Sequence, residues 1–240
     1  MAIALVANTI AQSTGTGSVT TSGINTTGAS LIVVGFAGYV DSPFGTLTDS
    51  NGNTWTPLTT YQASGDTKWK VKLYYAENPT VGSGHTFTWT STFNYPSISV
   101  AAFSGAKTST VFDVENGGTV ASGTTLATGS VTPSEDNELL VSILGHNDTV
   151  TISIDGSFTI SDQVSKSVGH AIGLAMAYKI QTSLGAENPT WTNSATFSAS
   201  DPGMAAIATF KAVAAGGGGS IIGDGNLLEG ARLFNGRIAA

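Results

Sequence analysis

Hydrophobic and polar residues alternate with a period of two along much of the chain, as in KWKVKLYYA at 68–76. Lys68, Lys70 and Lys72 fall on one side and Trp69, Val71 and Leu73 on the other, the signature of a half-buried β-strand. Lysines on an outer strand stay in water and discourage edge-to-edge pairing, so this row reads as protective rather than as an anion site. Comparable runs occur at SLIVVGFAGY (30–39), HTFTWTSTF (85–93), SISVAAFSG (97–105), NELLVSILGH (137–146), AIGLAMAYKI (171–180) and MAAIATFKAV (204–213). Gly, Pro, Asn and Asp punctuate them at short intervals, as in an all-β sandwich or barrel, and no stretch before residue 220 has helical periodicity.

The pattern is written twice. GSVT at 17–20 returns at 129–132, GNTWT at 52–56 is echoed by GSFT at 156–159, and LYYA at 73–76 by MAYK at 176–179. TWT at 88–90 recurs at 190–192, and VAAFSGA at 100–106 is echoed by IATFKAV at 207–213. Single matches in a chain rich in Thr and Gly are noise, but a series in one order at a nearly constant offset is an internal repeat. The sequence therefore predicts an all-β body over residues 1–213, with repeat halves at about 17–106 and 129–213. Its expected form is a two-sheet, jelly-roll-like antiparallel sandwich with internal pseudo-twofold symmetry; two tandem sandwiches are the alternative.

The stretch TDSNGNTWTP at 48–57 tests whether the polar clusters are sites or turns. An EF-type calcium loop counted from Asp49 places Asn51 and Asn53 well, but Gly52 falls at position 4 and Thr60 at position 12, where Gly at 6 and Glu at 12 are needed. Asn-Gly between two alternating runs is instead a strong hairpin signal. IDGSF at 154–158 puts Asp-Gly at the matching place of the second half, which favours architecture over a metal site.

Composition narrows the functions. Charged residues are only 10% of the chain, the net charge is −7 and the pI is about 4.7, which opposes a nucleic-acid partner. The chain has no cysteine, so disulfides and thiolate metal sites are excluded. MAIALVANTIAQS has neither the basic start nor the apolar length of a signal peptide, and no apolar run is long enough to span a membrane, so the expectation is synthesis in a cytoplasm. No cofactor and no metal is expected.

Candidate chemistry is sparse. His85, His146 and His170 lie at strand ends outside any nucleophile elbow or zinc-helix motif, and read as surface histidines. Asp113 and Glu115, two apart on a possible strand, are the best carboxylate pair for glycoside cleavage. Glu77 and Glu187 lie in identical AENPT segments (76–80 and 186–190), which read as one structural device used twice. Catalytic residues are therefore expected to be absent. Tyr39, Trp55, Tyr61, Trp69 and Tyr95 lie near strand ends or loops, where an aromatic face with a polar tip suits a wet, partly apolar ligand, and Tyr39, Trp55, Tyr61 and Tyr95 are the candidate glycan contacts; Trp55, Trp69, Trp89 and Trp191 also fall on alternating positions that read as core.

After Val213 the character changes to a Gly-rich tether and tail over 214–240. Four glycines (216–219) precede Leu227, Leu228, Ala231, Leu233 and Phe234, an apolar set near helical spacing that needs a partner surface, either on its own body or on another subunit.

The order SLIVVG, DSNGNTW, LYYA, SVAAFSGA, VFD, GSVT, NELLVS, IATFK across residues 17–213 resembles a family of repeat-bearing, jelly-roll-like β-sandwich proteins of bacteriophage particles and bacterial surfaces. The resemblance implies a non-enzymatic structural protein of the virion, most simply a capsid decoration protein displayed on the head exterior, or one attached to a tail or fibre. It would be a homo-oligomer that contacts other virion proteins. The other reading, from the aromatic residues, is a carbohydrate-binding module for a host-surface glycan.

Overall fold

Leu31–Tyr39 and Leu139–His146 are apolar at nearly every position, so neither strand can turn a face to water, and each needs cover on both sides. In the computed structural model, which describes residues 2–15, 17–39, 45–90, 94–166 and 172–214, both run through the middle of the molecule. The described residues form strands and no helix.

The first half supplies β1 (Ala4–Gln12), β2 (Val19–Thr20), β3 (Leu31–Tyr39), β4 (Thr46–Asp49), β5 (Thr56–Gln62), β6 (Trp69–Glu77), β7 (Phe87–Thr90) and β8 (Asn94–Ser104). The second supplies β9 (Phe112–Val120), β10 (Thr125–Ala127), β11 (Leu139–His146), β12 (Ile152–Ile154), β13 (Thr159–Val164), β14 (Gly173–Ile180), β15 (Thr190–Asn193) and β16 (Gly203–Phe210). In the first half, a five-stranded sheet β1-β8-β3-β6-β5 packs on a three-stranded sheet β2-β7-β4. The second half repeats this strand for strand as β9-β16-β11-β14-β13 and β10-β15-β12. Among the described residues all the strand pairings are antiparallel, with the crossing connections of a jelly roll.

The all-β, jelly-roll-like antiparallel sandwich is therefore observed, with its internal repeat. The two-sheet description holds for each half separately, and the two halves pack on each other into one body rather than standing as separate tandem sandwiches. The repeat also reaches further toward the N-terminus than sequence matching places it, because β1 and β9 are equivalent edge strands.

The two five-stranded sheets lie face to face, with β1 over β13, β8 over β14, β3 over β11, β6 over β16 and β5 over β9. That order is unchanged when the halves are exchanged, so a pseudo-twofold axis runs between β3 and β11, along the strands. Four layers enclose three cores. The central one joins Leu31, Val33 and Phe103 to Leu139, Val141 and Ile143. The outer two centre on Trp89 and Trp191, the middle residues of the two TWT segments. Trp89 stacks on Phe36 with ring centroids 4.2 Å apart, and the Trp191 indole donates to Ser142 Oγ at 2.8 Å. Each fully buried Leu, Ile, Val or Phe contributes about 1.5–3 kcal/mol, so the doubly covered β3 and β11 dominate stability.

Close approach across the central core depends on glycine at one position. A Cβ on Gly35 would stand 2.6 Å from Ile143 Cγ2, so β3 can cross β11 there only without a side chain.

Some sequence expectations need correction. The KWKVKLYYA strand does alternate, with Trp69, Val71 and Leu73 buried, but β6 lies between β3 and β5 and guards no edge. The Asn-Gly turn is real, with Gly52 at φ +72°, yet it is no hairpin: β4 and β5 belong to different sheets, and the turn carries the chain between layers. The AENPT segments are not equivalent. Glu77 ends β6, whereas Glu187 bridges to Val131 as His85 bridges to Ile24, which makes Glu187 the counterpart of His85. The GSVT copies are also out of register. Val19 pairs with Trp89, but Leu126 rather than Val131 pairs with Trp191.

Candidate functional site

Asp49, at the end of β4, organises the turn that follows it. Its Oδ1 accepts from Asn51 N (2.9 Å) and Asn53 Nδ2 (3.0 Å), and its Oδ2 from Asn53 N (3.0 Å) and the Trp55 indole (2.9 Å). His85 Nε2 lies 2.8 Å from Oδ1, and neither side chain is solvent-exposed. On the other side of the ring, Nδ1 lies 3.0 Å from Thr26 Oγ1, itself within hydrogen-bond range of Gly82 N and O. Burial pushes the Asp49 carboxyl up, but the bonds from His85, Asn51 and Trp55 outweigh it and hold it below the usual carboxylate range. A hydroxyl, an imidazole and a carboxylate thus stand in line, but the hydroxyl and ring are fully buried, so substrate has no route to them. The arrangement clamps the turn to the β7 entry.

His85 and His146 are 0% and 1% exposed, which corrects their reading as surface residues; His170 lies outside the described residues. Burial pushes the His146 imidazole down to about 4.

The proposed carboxylate pair is divided. Asp113 accepts from Ser134 N (2.7 Å) and Oγ (2.8 Å) and pairs with Lys211 at 3.1 Å. Glu115 instead accepts from Thr59 N and Oγ1 on β5, tying the two halves together. Burial raises the Asp113 carboxyl, but Ser134 and Lys211 more than offset it, so the group stays below its ordinary range. Beside it, Glu138 is fully buried, and its carboxyl is raised by that burial. Among the described residues, no group of three His, Asp or Glu is placed to hold a metal ion.

Of the four aromatic residues proposed for glycan contact, the structure brings two together. Trp55 packs edge-on against Phe87 and is fixed by Asp49. Tyr61 covers Gly117 on β9, where a Cβ would meet its ring at 2.5 Å, and burial with the neighbouring Glu115 pushes its hydroxyl up to about 12. Tyr39 and Tyr95, by contrast, share one cleft.

That cleft has a volume of about 570 Å³ and sits at the junction of the halves. The first half lines it with Tyr39, Asp66, Trp69 and Tyr95. Asn147, Lys166, Ile172, Ser200 and Asp201 come from the second. The pseudo-twofold axis leaves the molecule here. Tyr39 ends β3 and pairs with Trp69, while Asn147 directly follows β11 and Ile172 directly precedes β14, beyond the His146–Gly173 pair. Asn147 and Ile172 therefore occupy the places of Tyr39 and Trp69.

Each wall is held from behind. Asp66 caps the β5–β6 turn through Lys68 N (3.1 Å) and accepts the Tyr39 hydroxyl at 3.0 Å. Tyr39 and Trp69 meet edge to face at 5.0 Å, and Lys68 Nζ lies 5.5 Å over the Tyr39 ring. Asp201, in the turn before β16, accepts from Asn147 Nδ2 and from Ser200 Oγ. The backbone seam is closed by Ile172 N to Tyr95 O at 3.3 Å and by Gln12 Nε2 to Ile172 O at 2.8 Å.

Sequence reasoning missed Asp66, Asn147, Lys166 and Asp201. They sit in separate turns far apart in the chain, and only the repeat-equivalence of Tyr39 and Asn147 could have pointed to them. The tail residues Leu227, Leu228, Ala231, Leu233 and Phe234 lie outside the described residues. Comparison with protein-family models, curated proteins and solved structures gave no match.

Proposed function

We propose that the protein is a non-enzymatic structural component of a bacteriophage particle, most simply a capsid decoration protein on the head exterior, with attachment to a tail or fibre as the variant of the same role. The observation that carries this reading is the use made of the ionisable side chains. Asp49, His85, Asp113 and Glu115 each tie a turn or strand end to another element, and so work as fasteners of a duplicated sandwich rather than as exposed reactants. A four-layer body with three cores is suited to display under mechanical and chemical stress. The apolar side chains of 221–238, beyond the glycine tether, would seat on another subunit, and the chain would act as a homo-oligomer among other virion proteins.

Density-gradient purification of particles from a producing culture tests this. The chain should band with the particles at fixed stoichiometry, resist a high-salt wash and be labelled by antibody on the head surface. Deletion of 216–240 should abolish incorporation while leaving the folded body in the soluble fraction. A chain that never bands with particles would sink the reading.

A further inference from the structure

We propose that the junctional cleft is a binding site for a neutral saccharide. The inference rests on the cleft alone and is independent of the role in a particle.

At about 570 Å³ the cleft is of the size that takes small ligands, and it combines an aromatic wall with converging polar groups. The half-buried Tyr39 and Tyr95 form one side, with the largely buried Trp69 edge to face against Tyr39. Ring faces of this kind pack against the C–H faces of a pyranose while their polar tips stay at the wet edge. Asp66, bonded to Tyr39 on the same wall, and Asp201 from the second half supply carboxylate oxygens, acceptor-only groups suited to sugar hydroxyls. Asn147 adds a second observation: it is 95% buried by residue (5% exposed), its amide nitrogen is held by Asp201, and its Oδ1 has no hydrogen-bond partner. An orphaned buried acceptor is costly unless something donates to it, and a rotation of the side chain that brings the closed-off Oδ1 to the cleft would let a ligand hydroxyl relieve that cost.

Charge and geometry decide against other ligand classes. Asp66 and Asp201 against Lys166 and the Lys68 ammonium over Tyr39 leave the cleft without net charge, which gives an anion such as phosphate no Coulombic advantage. A ligand cation over the Tyr39 ring would meet the Lys68 ammonium already there. A metal lacks a donor set among the described residues. A neutral polyol needs none of these. It asks for an apolar face opposite directional acceptors, held without reorganisation, and the Tyr39–Asp66 and Asn147–Asp201 bonds fix both sides in advance.

The experiment uses the full chain. An array carrying neutral and acidic oligosaccharides identifies the epitope, and calorimetric titration with free neutral mono- and disaccharides separates recognition of a single ring from recognition of a displayed glycan. Neutral glycans should be retained and acidic ones ignored. Binding should fall at least tenfold in Asp201→Asn and in Tyr39→Ala, with Glu115→Gln, remote from the cleft, unchanged. Since Tyr39→Ala removes packing against Trp69, Tyr39→Phe serves as its folded control, and thermal melts report folding throughout. Quenching or shift of indole fluorescence on binding, lost in Trp69→Phe, would place the sugar at this wall. No retention of any glycan by the folded wild type overturns the proposal. So does binding confined to acidic glycans, or binding that survives both Asp201→Asn and Tyr39→Ala.

Discussion

Replacing Asp49 by alanine removes the acceptor of five donors at once: Asn51 N, Asn53 N and Nδ2, the Trp55 indole and His85 Nε2. The loop donors regain water when the turn opens. His85 does not, because it is fully buried, and the Trp55 indole is held against Phe87. Counting only those two, at roughly 1.5–3 kcal/mol for a hydrogen bond to a charged acceptor, the loss is about 3–6 kcal/mol. For a chain of this size that lowers Tm by on the order of 10 °C. Asp49→Asn should fall between wild type and alanine: its one oxygen serves the donors at Oδ1 or those at Oδ2, and its amide nitrogen then confronts the others. Urea titration at neutral pH, read by tryptophan fluorescence and far-UV circular dichroism, measures both variants, and chelator should leave the wild-type midpoint unchanged. A loss below about 1 kcal/mol for Asp49→Ala would refute the reasoning, since it would mean that water already reaches these donors.

Other outcomes follow from the same physics. His146 has its pKa lowered to about 4, so between there and its ordinary value near 6.5 the unfolded chain binds a proton that the folded one does not; stability is complete above pH 6.5 and falls by roughly 3 kcal/mol as pH drops through that window, a slope that urea titrations at stepped pH should find reduced in His146→Phe. Gly35→Ala puts a methyl 2.6 Å from Ile143 Cγ2 and should cost about 1–3 kcal/mol, while the double variant with Ile143→Ala should lose less than the sum of the two, as a double-mutant cycle will show. The first half expressed alone, residues 2–108, would leave Leu31, Val33, Val71 and Phe103 on an uncovered sheet face, so sedimentation should find dimers or larger species; a monodisperse monomer at micromolar concentration would contradict the layering.

Much of the architecture is legible in the residues. Alternation in KWKVKLYYA and unbroken apolarity in LIVVGFAGY and LLVSILGH are direct records of one-sided and two-sided burial. The TWT pair was a sound anchor because each tryptophan fills the centre of an outer core. Matches such as GSVT and AENPT misled because Thr, Gly and Asn-Pro recur wherever strands end, and identity between turns does not require equivalence. The equivalence of β1 and β9 escaped notice because both are half-buried edge strands, without the strong contrast of faces that marks a period of two. The buried histidines were misjudged because a strand end says nothing about what covers it. Here Thr26 and Asp49, from other parts of the chain, supply the polar cover for His85. The cleft was half visible, through Tyr39 and Tyr95, and its acidic side was hidden by distance in the chain.

A dimer of two identical subunits is obliged to present the same residue twice wherever its symmetry axis meets the surface. Here both copies lie on one polypeptide, and that obligation has lapsed. Tyr39 is matched by Asn147, and Trp69 by Ile172. Two copies on one chain can thus bring different side chains to the same opening, Tyr39, Asp66 and Tyr95 from one and Asn147, Lys166 and Asp201 from the other, without disturbing the shared scaffold beneath.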